Sequence, residues 1–362
     1  MSLVSNIGPI ASSIPKSSQI LIGGAFTHSG NISQGIYRLN SDGTIDNTFI
    51  LDDNGIIPNA NNKVVAVDST GKVYYGGVFT TVGGVSYNRI VRLNTDGSTD
   101  NTFNIGTGFD NTVNTIAIDG SDKIYVGGTF LNYNGTAASR IVRLNTDGTI
   151  DGTFVYGAGF NNTVEAIKIN NSGKIYIVGV FTTYQAVTNN RIIRLNTDGT
   201  KDVAFNNTTG FNNAVLSIAV RSDNKIYVTG SFTTYKGVAA ARIISINDDG
   251  TRNATFVIGT GIPNSTGRHN IFAVAGDKCL YGSISITYNG ATVSTGLKRL
   301  NTDGTLDTTF NILNHFSTTG SSGALIDLIG IDSSGNIYIP IVTTGLALVN
   351  TKTDGLVYSG LL

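Results

Sequence analysis

Hydrophobic residues along this chain alternate with polar ones in short runs, and no run carries a period of 3.6 over ten residues. VNTIAID (113–119) has the period-2 alternation of a half-buried strand. The apolar run KIYVGGTF (123–130) follows, then RIVRLN (140–145), then a segment holding the DGTF of 151–154. β-branched and aromatic residues fill these segments and turn residues separate them, so the pattern predicts four short antiparallel strands.

This four-strand unit recurs. An Asp-Gly pair closes a hairpin at Gly43, Gly97, Gly148, Gly199, Gly250, Gly304 and Gly355, at spacings of 54, 51, 51, 51, 54 and 51 residues. A second anchor, the KIY-type strand, recurs once per unit at Ile20, Val73, Ile124, Ile175, Ile226, Cys279 and Ile337. Four-stranded units at a period near 40–50 residues are the signature of a β-propeller, whose sheets pack face to face around a channel. The sequence therefore predicts an all-β, seven-bladed β-propeller with four antiparallel strands per blade and a repeat of about 51 residues. It fills residues 1–362 as a single domain, with blades at about 7–52, 53–106, 107–157, 158–208, 209–259, 260–313 and 314–362.

One hairpin can be read to the residue. In RLNSDGTID, Arg38 and Asp46 are equidistant from Asp42, so Asn40 faces Thr44 across a Ser-Asp-Gly loop. A three-residue loop of this kind is a type I turn with a G1 bulge, and Gly43 takes the left-handed conformation. Arg38 then lies opposite Asp46 on one sheet face, within reach of a cross-strand ion pair. The same pairing is expected for Arg92 with Asp100, Arg143 with Asp151, Arg194 with Asp202 and Arg299 with Asp307. In the fifth unit both partners change together, to Ser245 and Asn253.

Composition narrows the function classes. Lys+Arg 24 balances Asp+Glu 24, and charged residues make up 13% of the chain. A protein that binds nucleic acid or a membrane surface through a one-signed patch needs an imbalance that is absent here. No apolar stretch approaches the roughly 18 residues of a membrane span, so no membrane insertion is expected. A lone Cys279 excludes an intramolecular disulfide framework, and in its strand it reads as a buried structural thiol. The N-terminal MSLVSNIGPIASSIPKSS lacks a basic region followed by an apolar core, so no secretory signal is expected in it.

The pattern GKIYVGGxFTxxxG…RIxRLNxDGTxDxTF resembles the delta-60 repeat, a propeller-forming repeat. That family occurs in surface and secreted proteins of Bacteroidetes-type bacteria, in related exported proteins and in some bacteriophage structural proteins. The resemblance covers essentially the whole chain and is clearest in units two to four. It implies the propeller architecture and no single activity.

Candidate chemistry is sparse. RLNTDGTID places Asn145, Asp147, Gly148 and Asp151 at positions of a calcium loop, but the first and twelfth positions are Arg143 and Phe154. A cation where an acidic ligand is needed has the wrong sign, so no metal is expected. His28, His269 and His315 stand in different units, no GxSxG elbow occurs, and Glu165 is the only glutamate. The glycines of YYGGVFT and YVGGTF sit inside strands without the following helix that a phosphate site uses. No catalytic residue and no cofactor are expected.

Aromatics recur instead. Tyr133, Tyr184, Tyr235 and Tyr288 follow the FTT-type segment, and Phe109, Phe160 and Phe211 stand in GFDN or GFNN. These seven are the candidate binding face, a platform for sugar rings or a protein partner on the loop-rich side that also carries 51–62, 259–270 and 311–323. The alternative is that they pin loops against neighbouring units, which regular recurrence in a repeat protein favours. A surface-like composition without an export signal points first to a bacteriophage virion protein docking on another virion protein or on host surface glycan. A bacterial cell-surface or secreted binding module is the alternative, and a lactonase-like propeller hydrolase the third reading.

Overall fold

A computed structural model describes residues 11–13, 20–23, 36–40, 46–51, 64–207, 209–262, 269–273, 279–283, 287–288, 291–292, 297–309, 330–331, 337–341, 345–349 and 357–358. These residues form strands and turns, and among them no helix is long and apolar enough to cross a membrane. Of the three loop segments expected on the variable side, 52–62, 263–268 and 311–323 lie outside the described residues, as do His28 and His315.

Repeats one to six are each organised around a three-stranded antiparallel sheet with its second strand in the middle, and Gly330–Ile331, Ile337–Ile341, Gly345–Val349 and Val357–Tyr358 form a four-stranded sheet. In repeat three, Ile124–Gly128 pairs with Val113–Ile118 on one side and Ile141–Leu144 on the other. Repeats two, four, five and six have the same order. The middle strand is buried along its whole length, and so is its partner Ile141–Leu144. That explains their continuous apolar character, in contrast to the alternation of Val113–Ile118. The register sets Tyr125 opposite both Ala117 and Arg143, so these three share one face.

The fourth strand is shorter than the sequence predicts. It pairs through single bridges, Leu144 with Ile150, Leu93 with Thr99, Leu195 with Lys201, Ile246 with Arg252 and Leu300 with Leu306. The DGTF of 151–154 forms a turn and not a strand. The Asp151 carboxylate accepts the Thr153 N–H at 3.0 Å and the Thr153 hydroxyl at 2.7 Å, while the Phe154 N–H donates to the Asp151 carbonyl at 3.1 Å. The aspartate offers its own backbone a local partner, and that partner displaces the ladder.

The connection between second and third strands also carries structure. Asn132–Tyr133 pairs with Thr136–Ala137, and Asn134 and Gly135 close the hairpin with φ of 46° and 74°. Two left-handed residues in a row make a type I′ turn.

Contacts divide the chain into two compact units. One comprises Met1–Gly159, Ile339–Leu348 and Ser359–Leu362, the other Phe160–Tyr338 and Val349–Tyr358. The first packs around Tyr74, Phe103, Val113, Val126 and Val142. In the second, one cluster includes Tyr176, Phe205, Ile218 and Phe232, and another includes Tyr227, Phe256, Ile258 and Cys279. Burial pushes the Cys279 thiol up to about 12, which keeps it protonated and unreactive at neutral pH.

One core position departs from its counterparts. Asn189 is buried where repeats three and five have the buried Ala138 and Ala240. Its amide donates to the Val187 carbonyl at 3.0 Å, but its buried Oδ1 has no partner. An unsatisfied buried acceptor costs about 1–3 kcal/mol, more than one neutral hydrogen bond returns. Asn189→Ala is therefore expected to stabilise the fold by about 1 kcal/mol in a urea melt. A lowered midpoint would show that Oδ1 is satisfied by bound water.

Candidate functional site

The charged residues singled out in the sequence meet in a repeated node. Arg Nε lies 2.8 Å from the aspartate Oδ2 in Arg38–Asp46, Arg92–Asp100 and Arg194–Asp202. The same distance is 3.0 Å in Arg143–Asp151 and 2.6 Å in Arg299–Asp307. The node follows from the hairpin. Asp151 N–H donates to the Arg143 carbonyl at 2.9 Å, the Asn145 N–H to Thr149 at 2.8 Å, and Gly148 turns the chain with φ of 90°.

Three of these aspartates also take a partner that local spacing did not predict. The lysine of the GK/DK segment joins the arginine, as Lys72 on Asp100, Lys123 on Asp151 at 3.0 Å and Lys174 on Asp202 at 2.9 Å. Its recurrence in register was the available signal. Burial pushes the Asp100 and Asp151 carboxyls up. The threonine and lysine hydrogen bonds and the arginine charge outweigh that, and both carboxyls sit well below the usual carboxylate range.

The arginine is sandwiched as well as paired. Arg143 lies over Phe154 at 5.0 Å and donates to the Tyr125 hydroxyl at 3.1 Å. Arg92 does the same with Phe103, at 4.8 Å, and Tyr74, at 3.1 Å. Its Nη1 also reaches the next repeat, where Arg92 donates to the Thr146 carbonyl, Arg38 to Thr95 and Arg194 to Asp248. The node thus links strand, turn and neighbouring hairpin. In repeat five a neutral version replaces it, with Asn253 donating to the Ser245 hydroxyl at 3.3 Å. Asp147 Oδ1, which stands at a calcium-loop position by spacing alone, accepts the Thr149 N–H and hydroxyl. Among the described residues no three His, Cys, Asp or Glu side chains gather as metal ligands.

The expected aromatic face does not exist as an exposed surface. Tyr133, Tyr184, Tyr235, Tyr288, Phe109, Phe160 and Phe211 are each at most 2% exposed. Phe109 packs on Tyr133 with ring centres 4.5 Å apart, Phe160 on Tyr184 at 4.7 Å and Phe211 on Tyr235 at 4.6 Å. Each tyrosine hydroxyl donates to the Asp-Gly turn of its own repeat: Tyr133 to Gly148 O at 2.6 Å, and Tyr184, Tyr235 and Tyr288 to Gly199, Gly250 and Gly304 O at 2.7 Å. With both ring and hydroxyl engaged, these residues are packing elements and have no face left for a ligand.

A second set of arginines recurs unpredicted at the start of the third strand. Arg89, Arg140, Arg191 and Arg242 all adopt positive φ, between 67° and 71°. Within the second unit, Arg191 donates to the Phe211 carbonyl at 2.7 Å and Arg242 to the Ile262 carbonyl at 3.0 Å, each stapling the segment that enters the next repeat. The large apolar side chains left exposed include Val85, Val187 and Val238 on the hairpins, and Ile50, Val155 and Val257 after the DxTF-type turns.

The sequence profile described as "Domain of unknown function (DUF5122) beta-propeller" matches residues 18–49, 69–103, 120–154, 171–205, 221–256 and 282–310, more than half of the chain. No curated protein matches the sequence. Among solved structures, virginiamycin B lyase from Staphylococcus aureus is similar at 16% identity and a TM-score of 0.56, over 95% of each chain. The extracellular domain of a putative one component system from B. thetaiotaomicron is similar at 17% identity and a TM-score of 0.56, over 96% of this chain and 39% of that one. At such identities the likeness is one of fold, and it agrees with an all-β, propeller-like arrangement of repeated sheets.

Proposed function

We propose that this chain, which belongs to the DUF5122 β-propeller family, is a non-catalytic binding module displayed on a bacterial surface or secreted. Its partner in this reading is a cell-surface glycan or another surface protein. We read it as seven blades of the delta-60 type, because a seventh KIY-type strand at Ile337 and a seventh Asp-Gly pair at Gly355 follow the six segments that the profile matches.

One observation carries the functional reading. The repeated ion pairs and the repeated aromatics are consumed in holding the scaffold, while the sequence varies at the hairpin tips. In repeats two to five these tips read Gly83-Gly84, Asn134-Gly135, Gln185-Ala186 and Lys236-Gly237, followed by the exposed Val85, Thr136, Val187 and Val238. A rigid framework with variable tips is the division of labour of a display scaffold, in which loops carry function. The extracellular placement of the sensor domain with the same fold supports a surface location. The virion location suggested by composition has no comparable support.

The test is binding of the fluorescently labelled chain to intact bacterial cells and to their extracted surface polysaccharides, with and without chelator. Saturable, chelator-insensitive binding is expected. The reading fails if the protein binds neither cells nor extracts, or if it turns over a lactone or ester substrate in a chelator-sensitive manner.

A further inference from the structure

We infer that the fourth-strand side of repeats four and five binds an acidic polysaccharide, with Lys201 and Arg252 as its carboxylate contacts. This rests on the surface-binding reading above and gives it a location and a ligand class.

Comparison of the repeats singles out these two cations. They stand at one position of the fourth-strand segment, where single bridges join them to Leu195 and Ile246 of the third strand. Repeats two, three and six carry Thr99, Ile150 and Leu306 at that position, so the fold requires no charge there. Both cations belong to the second compact unit, and both side chains are half-buried.

The position looks onto the hairpin of its own repeat. Arg252 donates through Nη1 to the Ala239 carbonyl at 2.9 Å, and Ala239 pairs with Thr234 in that hairpin. The other N–H groups of Arg252 donate to no described residue. Lys201 makes no ion pair among the described residues. Burial holds its pKa below the ordinary lysine value, and no carboxylate raises it back.

All residues of 183–207 and 234–262 are described, and the acids among them are engaged elsewhere. Asp202 and Asp248 pair with Arg194. Asp198 and Asp249 each accept the N–H and the hydroxyl of the threonine two residues on, and Asp249 also acts on Lys236. Exposed apolar side chains accompany the cations. Val187 and Val238 stand on the two hairpins, and Val203, 91% exposed, lies two residues beyond Lys201.

These groups select a chemistry. A half-buried ammonium and a guanidinium with N–H groups to give both gain from a carboxylate, the guanidinium through two parallel hydrogen bonds. Cations that recur once per repeat suit a polymer whose charge also recurs along its length. An acidic peptide would press its backbone amides against the valines without pairing them. A uronic-acid chain sets C–H faces there, between one carboxylate and the next.

The experiment measures binding of the full chain to polygalacturonate and alginate, with dextran as a neutral polysaccharide and a poly-glutamate peptide alongside. One variant combines Lys201→Thr with Arg252→Thr, installing the residue of repeat two. The other, Val203→Asp, sets a competing carboxylate beside Lys201 at a position that makes no demand on packing. Melting curves verify folding. Saturable, salt-sensitive binding to the polyuronates is expected, reduced about tenfold or more in the double variant and weakened in Val203→Asp. Undiminished binding in both variants, or dextran bound as tightly as the polyuronates, overturns the site. Preference for poly-glutamate overturns the ligand class and points to an acidic protein partner. Silence on every probe with retained binding to cells overturns the site and leaves the surface-binding reading standing. Silence on cells as well removes the site and the reading together.

Discussion

Asp151→Asn alone is expected to destabilise the first unit by about 3 kcal/mol or more, and Arg143→Ser combined with Asp151→Asn by clearly less than the sum of the two single changes. The reasoning is electrostatic. Asp151 is buried and compensates Arg143 and Lys123 together, at 3.0 Å each. Neutralising it removes the carboxylate that faces the buried Arg143 guanidinium, which lies against Tyr125 and Phe154. Removing the arginine as well leaves Lys123, which is partly exposed and already donates to Asn145 Oδ1 at 2.6 Å. The double variant installs the Ser245–Asn253 pair of repeat five, which is buried in this same fold. Chemical denaturation of the four proteins gives the coupling directly, and additive losses would show that the bridge has no specific role.

The same node fixes an acid response. A carboxyl with a folded pKa below its unfolded value of about 3.9 contributes stability that is present above that value and lost as pH falls through the folded pKa. Asp100 and Asp151 are depressed in this way. Their contribution therefore persists at pH 4 and is withdrawn only in stronger acid, and the Asp151→Asn protein should show a shallower loss of stability below that pH.

How far the sequence speaks depends on whether a residue's partner is close in the chain. Arg143 and Asp151 are eight residues apart across a turn whose glycine dictates its geometry, so their pairing follows from local spacing alone. Lys123 lies on a different strand, and its approach to Asp151 depends on the sheet order. The tyrosines fail for a further reason. Asn132–Tyr133 is a two-residue strand, too short for alternation to show which side faces inward, so the recurrence of Tyr133 was compatible with packing and with display. DGTF reads as strand by composition, and the local demand of the Asp151 carboxylate for the Thr153 N–H converts it to a turn. Val82 standing in a column of tyrosines was legible in the same way, and its meaning required knowing that the column is buried.

Gly148→Ala should be the most damaging of three glycine substitutions in repeat three, at roughly 3–5 kcal/mol. Its φ of 90° suits glycine, and a Cβ there would lie 2.6 Å from the Asn104 carbonyl oxygen and 2.9 Å from its carbon. Both contacts are backbone, which cannot rotate away. The segment that would have to move is tied to the turn, since Asn104 N–H donates to the Asp147 carbonyl at 2.8 Å, and the Tyr133 hydroxyl donates to Gly148 O at 2.6 Å. Gly135 separates the two causes. Its φ is 74° with nothing within 4 Å of the added carbon, so Gly135→Ala should cost only the left-handed strain of about 1–2 kcal/mol. Gly152 has neither liability, and repeat four carries Val203, 91% exposed, at its position. Gly152→Ala should therefore be neutral or stabilising by a few tenths of a kcal/mol, through the lower entropy of the unfolded chain. Equilibrium melts of the three variants rank the terms. A Gly148→Ala loss no larger than that of Gly135→Ala would mean that the Asp-Gly turn and the Asn104 segment of the preceding repeat can separate freely, and that the turn does not serve as the contact on which successive repeats are stacked.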